Sequence, residues 1–440
     1  MQYCGDETAA LVGDLGSRSF KFGFAGEDAP KGWLPSCVGR GVGAAGSKAG
    51  KRVRVGDGAL GASSEDTEVV WARREGRVAD WDAVEALWSH ALGTVLSSDP
   101  REHPVLACTA TYESAADRAK LAELLAESLQ VPAFFLARNA MLSAFSLGRA
   151  SALVLDVGAA RSVCAPVQDG FVLARGVRSS GVAGDLVDDH LVRLLETQLL
   201  PQQRKAAPGQ RVPIRVPALM SKRPAPEAAL EPQPAAWVVE DKAPERAARV
   251  AASYVDLQRR AVVQDLRANV CRVWTELGYE DSRAAVYAKE RYELPDGTQV
   301  FLGPERFRSG ELLVRPEFDR AFVAEQLQDK ELPLSLPLLV KEALQGVHVD
   351  LRRELVQQII LVGGGSLMPG TVERLTKELA LVLPSALKPR FLTPGKLERS
   401  FSTFTGGSIL ATLGSFQQLW ISKKEYDEHG VNLVEARCVH

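Results

Sequence analysis

Leu153 to Ser162 reads LVLDVGAARS, a short apolar run ending in Asp156 and followed by a turn that carries Gly158. Aliphatic and β-branched residues closed by Asp-x-Gly predict a buried strand that opens into a tight hairpin, where backbone N–H groups can face an anion. Leu11 to Ser19, LVGDLGSRS, repeats the pattern with Asp14, Gly16 and Ser17 in the corresponding places. Two copies separated by roughly a third of the chain predict two similar lobes, each offering one hairpin to a shared cleft.

Outward from the first hairpin, Phe20 to Gly26 (FKFGFAG) has the alternation of a second strand, with Lys21 pointing back toward the turn. Trp81 to Leu96 carries apolar residues at helical spacing with Asp80 as its N-cap, Pro104 to Thr109 reads as a strand, and Ser114 opens a helix to about Leu129. A strand at Val131 to Leu136 and a helix near Asn139 to Gly148 follow, so strands and helices alternate up to the second hairpin. That order predicts a mixed α/β class. Beyond it come a strand near Gly170 to Leu173, helices from Asp185 and across Arg246 to Cys271, and a Pro-Asp-Gly turn between strands in Tyr292 to Gln299. Ile359 to Gly365 (IILVGGG) reads as a buried strand ending in three glycines before the amphipathic helix TVERLTKELA. A glycine turn between strand and helix lets backbone approach a ligand closely.

A chain of 440 residues is too long for one core and is expected to divide into two or more domains, and its 46% hydrophobic content can fill them. With 53 Lys and Arg against 55 Asp and Glu, a formal net charge of -2 gives no global attraction to nucleic acid or to a membrane surface. No apolar run reaches the ~18 residues of a membrane span, and Met1 to Ala10 lacks the regions of a signal peptide, so a cytosolic or nuclear protein is expected. The six cysteines are scattered without a CxxC, which predicts reduced structural thiols, and the six histidines show no ligand spacing. Two stretches break the regular pattern. Arg40 to Ser64 is rich in Gly, Ala and Ser and reads as flexible and poorly packed. Pro201 to Pro234 holds eight prolines, with six Lys or Arg and no acid within Pro201 to Pro226, which predicts a solvated basic loop without regular structure. A surface insertion and a contact for a partner or DNA are both open for it.

Several longer stretches carry a resemblance: LGSRSFKFGFAGEDAP at 15 to 30, EHPVL at 102 to 106, VPAFFLARNAMLSAFSLGR at 131 to 149, YELPDGTQVFLGPERFR at 292 to 308 and, most specifically, GGSILATLGSFQQLWISKKEYDEHG at 406 to 430. Over nearly its full length the chain resembles the actin family. Within the family it is most similar to the nuclear actin-related proteins of chromatin-remodelling and histone-acetyltransferase complexes, through the insertion after residue 190 with its VPALMSK, the VAGD at 182 to 185, and a 40 to 64 segment without actin's apolar tip.

The resemblance implies an α/β, two-lobed actin-like fold, of the sugar-kinase and heat-shock-ATPase type, with duplicated mixed-sheet cores. Subdomain 1 would take 1–36, 74–146 and 402–440, a short flexible subdomain 2 37–73, subdomain 3 147–183 and 330–401, and subdomain 4 184–329 with the insertion at about 201–245. Nucleotide would lie between the lobes. Asp14 and Asp156 would organise a magnesium ion through water, Ser17 and Lys21 would contact phosphate beside Gly16 and Gly158, and Gly184 would also bind the nucleotide. Arg267 would lie against the base and Gly363, Gly364 and Gly365 against the adenosine. Each glycine alone could be a mere turn.

Against the family pattern the equipment for hydrolysis is damaged. Asn139 stands for the Gln that orients water, Val163 for a relay His, and Ala159 for a further carboxylate. Val163 can neither accept nor pass a proton, and loss of one preorganised polar group commonly costs on the order of 10²–10³ in rate. Arg18 and Ala160 stand at glycine positions of the hairpins, Ala268 at a ribose-binding Glu and Ser400 at an adenine-flanking Lys.

The expectation is therefore a non-catalytic scaffold subunit in the nucleus, with ATP and magnesium held structurally to close the lobes. Its partners would be a helix of a large remodelling subunit and nuclear actin, and histones or DNA through the complex, with no membrane and no filaments. The helix would sit in a cleft formed by Phe145 and Gly148 at one helix end, Gly170 and Phe171 on the strand after the second hairpin, and Leu410, Leu413 and Leu419 on one C-terminal helix. Plain core packing is the other reading of those residues. An active ATP-hydrolysing actin-like cytoskeletal protein is the alternative function.

Overall fold

The computed structural model describes residues 9–41, 53–61, 65–207, 209–224, 237–328 and 332–438. Two mixed sheets organise it. The first runs in the order Ile421–Ser422, Ala133–Arg138, Val105–Thr109, Leu11–Leu15, Ser19–Phe24, Gly32–Pro35. The second runs Phe171–Val172, Ser162–Gln168, Ala152–Val157, Ile359–Val362, Phe391–Leu392, with Arg178–Ser180 also on Ser162–Gln168. At the centre of each, the strand ending in the hairpin Asp pairs antiparallel with the strand after the turn and parallel with a strand from elsewhere in the chain.

The continuous apolar runs explain the central positions. Leu11 and Val12 in one sheet and Leu153 to Leu155 in the other are buried on both faces, as a strand sandwiched by helices requires. Each sheet has its own core: Phe20, Phe22, Trp88, Phe134, Phe135 and Phe404 fill the first lobe, while Leu191, Leu266, Phe322, Leu339, Leu361 and Leu375 belong to the second. The expected caps form, with the Asp80 side chain accepting from the Ala83 N–H at 2.8 Å and Ser114 from Asp117 at 3.0 Å.

Two helices join the lobes. Asn139–Phe145 leaves the first sheet and buries Ala140 and Ala144 in a cluster with Val154, Val163, Ile360 and Val362 of the second. Ser402–Thr412 brings the chain back and crosses it so closely that a side chain on Gly406 would strike the Leu142 carbonyl.

Both stretches expected to lack order are structured where they are described. Val53–Val55 pairs with Cys37–Gly41, which pairs in turn with Thr67–Trp71, and Leu60 of Asp57–Gly61 is buried; 42–52 and 62–64 lie outside the described residues. In the insertion, Met220–Pro224 and Trp237–Asp241 form an antiparallel hairpin. Upstream of it Val212, Ile214, Val216 and Ala218 are buried in alternation, with exposed Arg211, Pro213, Arg215 and Pro217 at the intervening places. That period of two is a strand-like pattern which the prolines disguise, since Pro at alternate positions donates nothing but leaves the pleat intact. The basic character is also partly neutralised: Arg211 pairs with buried Glu196, Arg204 with Asp296 and Arg215 with Asp241. Residues 208 and 225–236 lie outside the described part.

Among the described residues no helix is long and apolar enough to cross a membrane. Five cysteines are free and buried, and Cys4 lies outside the described residues.

Candidate functional site

The two hairpins face each other across a cavity of about 600 Å³, a size that accommodates a small ligand. Its wall includes Asp14, Gly16, Ser17 and Lys21 from the first hairpin, Asp156 and Gly158 from the second, Gly184, Arg267, and Gly363, Gly364 and Gly365. Residues spread over 350 positions of sequence thus converge on one site. The turns are built alike: the Gly16 N–H donates to the Ser19 carbonyl and the Gly158 N–H to the Arg161 carbonyl, each at 3.0 Å.

Register separates the two hairpins chemically. Asp14 lies opposite Lys21, whose Nζ is 3.4 Å from its carboxylate, whereas Asp156 lies opposite Val163. Lacking a cation across the strand, Asp156 is pushed up to about 6 by burial and by the neighbouring Asp14 charge, with Lys21 opposing. Two carboxylates held near each other, one of them raised in this way, suit a divalent cation, which would relieve both burial and repulsion. Asp14 and Asp156 are therefore the residues that would hold magnesium, and the ion would supply charge neutralisation for phosphate oxygens. Among the described residues no group of three or more His, Cys, Asp or Glu is arranged as a direct ligand set.

The glycine turn has a steric origin. Gly363 sits at φ +89°, and a Cβ there would meet the Asp156 carboxylate and the Val157 carbonyl. A Cβ on Gly365 would lie 2.8 Å from Val157, whereas Gly364 faces open space. Two of the glycines pack the turn against the second hairpin so that the third presents bare backbone to the cavity. Gly184 is held similarly, its N–H donating to the Gly158 carbonyl at 3.0 Å while Asp185 donates to the Ala159 carbonyl at 2.8 Å.

Asn139, Ala159 and Val163 also line the cavity. The Asn139 amide oxygen accepts from both the N–H and the hydroxyl of Thr111, and its nitrogen donates to Asp156 at 3.2 Å. Arg267 reaches the wall in an ion pair with Asp188 at 2.6 Å, and burial lifts that Asp to about 6 despite the pairing. Ser400 lies on the wall, with its hydroxyl turned to the Leu397 carbonyl; Ala160 and Ala268 are not among the lining residues.

Other lining groups are not evident from sequence reading. Gln264 stands three residues before Arg267 on the helix Ala252–Val270, and Asp188 one turn after Gly184, spacings that place each pair on one face. Trp33, Arg73, Tyr112 and Arg399 come from four separate segments, and no local signal marks them.

The cleft residues outside this cavity need correction. Phe145 ends its helix, exposed Gly148 follows in a turn at φ +64°, and Gly170 belongs to the turn before Phe171–Val172 rather than to the strand. Leu410, Leu413 and Leu419 do not share a helix. Ser402–Thr412 ends at Leu413, which is extended, and Leu419 follows the short 3₁₀ turn Gly414–Gln418. Gly406 and Gly407 allow the close crossing, and the extended backbone of Leu413 then breaks the apparent helical spacing. Leu410 is 7% exposed in the first lobe's core, while Phe171 and Leu413 stay 48% and 44% exposed, beside Ile409, which sequence reading missed.

The chain matches the actin family over residues 5–439. It is 35% identical to Actin-related protein 4 of Arabidopsis thaliana over 99% of this chain and all of that protein. Actin-related protein 4 of Emericella nidulans is 34% identical and that of Schizosaccharomyces pombe 30%, each over 99% of this chain and nearly all of the relative. With two lobes, paired hairpins and full-length similarity in agreement, this chain belongs to the actin family and is an actin-related protein similar to those numbered 4.

Proposed function

We propose that the chain is a non-catalytic scaffold subunit of nuclear chromatin-remodelling or histone-acetyltransferase complexes that holds ATP and magnesium as a structural ligand. The observation that carries the non-catalytic half is the state of Asn139. In-line attack on a phosphate needs an oriented water and a proton path, yet the Asn139 oxygen is committed to Thr111, and Val163 and Ala159 supply no proton-accepting group beside it. The hairpin pair, Lys21 and the two carboxylates support binding of a polyphosphate with its metal. Purified protein is expected to release phosphate from ATP no faster than buffer; release that Asp156→Ala abolishes overturns this half and favours the cytoskeletal ATPase.

The scaffold half rests on the exposed apolar side chains Phe171, Ile409 and Leu413, and on Phe145, Val172 and Leu419, which are partly buried against the first lobe's core. Such a surface suits an amphipathic helix of a remodelling subunit, next to nuclear actin, with histones or DNA reached through the complex. A few buried anchors usually carry about 2 kcal/mol or more each. Phe171→Asp with Leu413→Asp is expected to abolish co-purification of the remodelling subunit from nuclear extract at unchanged circular dichroism. Survival of the complex excludes this surface.

A further inference from the structure

We propose that the cleft is latched by the chain's own side chains, so that the lobes stay closed whatever the cavity holds and a nucleotide exchanges only when the latch opens. The exchange half rests on the structural-nucleotide reading; the closure half does not.

The floor of the latch is reciprocal. Arg18 leaves the first hairpin and its Nε donates to Asp185 Oδ1 of the second lobe at 2.8 Å, with the guanidinium 4.5 Å over the Trp71 ring. Arg161 leaves the second hairpin in the opposite direction, its Nε donating to the Glu75 carbonyl at 3.1 Å and its guanidinium 5.7 Å from the Tyr112 ring. Each hairpin thus sends one arginine into the other lobe. Arg18 stands where the family has glycine, which has no side chain to make this bond.

An arginine pair alone is weak, because partly exposed ion pairs are screened. The roof makes the difference. Strand Thr67–Trp71 and Leu60 of the first lobe bury against Val216, Ala218, Val250 and Tyr254 of the second in a shared apolar cluster. The buried Tyr254 hydroxyl donates to the Leu60 carbonyl at 2.7 Å, the Asp66 N–H to the Arg249 carbonyl at 2.9 Å, and the Val69 N–H to the Ser253 hydroxyl at 3.0 Å. Glu65 and Val250 form a β-bridge, and Arg246 and Arg249 pair with Glu65 and Asp66 above it. Contacts between lobes that move are usually small and polar; this one buries an apolar cluster with hydrogen bonds inside it and exposed ion pairs at its rim. Val216 and Ala218 come from the insertion, which therefore acts as a wedge joining the lobes.

The test uses full-length protein treated with EDTA and apyrase, then given ATP and magnesium. Small-angle scattering reports the radius of gyration, and hydrogen exchange the amides of 65–71 and 249–255. Wild type is expected to keep both values through stripping. Arg18→Ala with Arg161→Ala, and separately Tyr254→Phe with Arg249→Ala, are expected to expand on stripping and to exchange at least about tenfold faster at those amides, as loss of charged hydrogen bonds predicts. The proposal is overturned if stripped wild type expands as the variants do, or if both variants remain as compact and protected as wild type. Re-closure of a stripped variant by ATP and magnesium supports both readings. A variant that opens on losing its arginines and ignores ATP keeps the latch and removes the nucleotide.

Discussion

His190 carries a pH signature. It is 2% exposed, with Nδ1 2.8 Å from the Ser309 hydroxyl, Nε2 3.6 Å from Asp319 and the ring against Phe322. Burial depresses it to about 4; Asp319 opposes, while Arg193 and Arg308 add to the depression. A base whose folded value lies below its unfolded one holds fewer protons when folded, so the His190 contribution to stability is lost as pH falls from about 6.5 toward 4, while Asp156 and Asp188, raised to about 6, contribute with the opposite sign. His190→Asn preserves a donor near Ser309 and removes the titration. Its unfolding free energy is expected to fall less steeply across that window, by up to about 1.4 kcal/mol per pH unit, in denaturant titrations at stepped pH. A second residue-scale test is the fully buried Arg374, which forks onto Glu311 at 2.7 and 2.9 Å. Arg374→Met leaves that buried carboxylate only Arg315 at 3.5 Å and is expected to destabilise by about 3–5 kcal/mol in chemical unfolding, with much of the loss recovered by adding Glu311→Leu.

Among elements, the crossing of Ser402–Thr412 over Asn139–Phe145 bears most on the site, because the second helix begins at the residue that contacts Asp156. Gly406 at the crossing has no room for a methyl group against the Leu142 backbone. Gly406→Ala is expected to destabilise by about 1–3 kcal/mol in thermal unfolding through overpacking; Gly414→Ala, which meets nothing within 4 Å, serves as the control and should stay near wild type. The insertion is the opposite case, an element that composition conceals. Its alternating Val212, Ile214, Val216 and Ala218 are placed like strand residues although prolines interrupt any ladder.

For the whole molecule, a ligand that binds the folded state alone stabilises it by mass action whether or not it moves the lobes. ATP and magnesium at a hundredfold excess over Kd are expected to add about 2.7 kcal/mol, read as a raised unfolding midpoint. With Asp156→Ala, which removes a carboxylate from the cavity wall, that gain should vanish.

Local chemistry sufficed for the two Asp-x-Gly hairpins, the capped helices and the glycine turn at 363 to 365, because a strand, a tight turn and an N-cap are set by residues within a few positions of each other. The same local patterns marked Asp14, Lys21 and Asp156, the resemblance added Gly184, and the cavity brings them together. Spacing along the chain misled where a helix ended early, as at Leu413, or where prolines masked burial, as at 212 to 218. Only the tertiary structure decided that Arg18 would reach Asp185 rather than solvent, that Asn139 would spend its amide on Thr111 and Asp156, and that Tyr254 would close on Leu60. Arg18 and Asp185, and Tyr254 and Leu60, lie 167 and 194 residues apart, and these contacts and that of Asn139 with Asp156 exist only once two separately packed cores have been docked against each other, whereas Asn139 meets Thr111 through the packing of the first lobe alone.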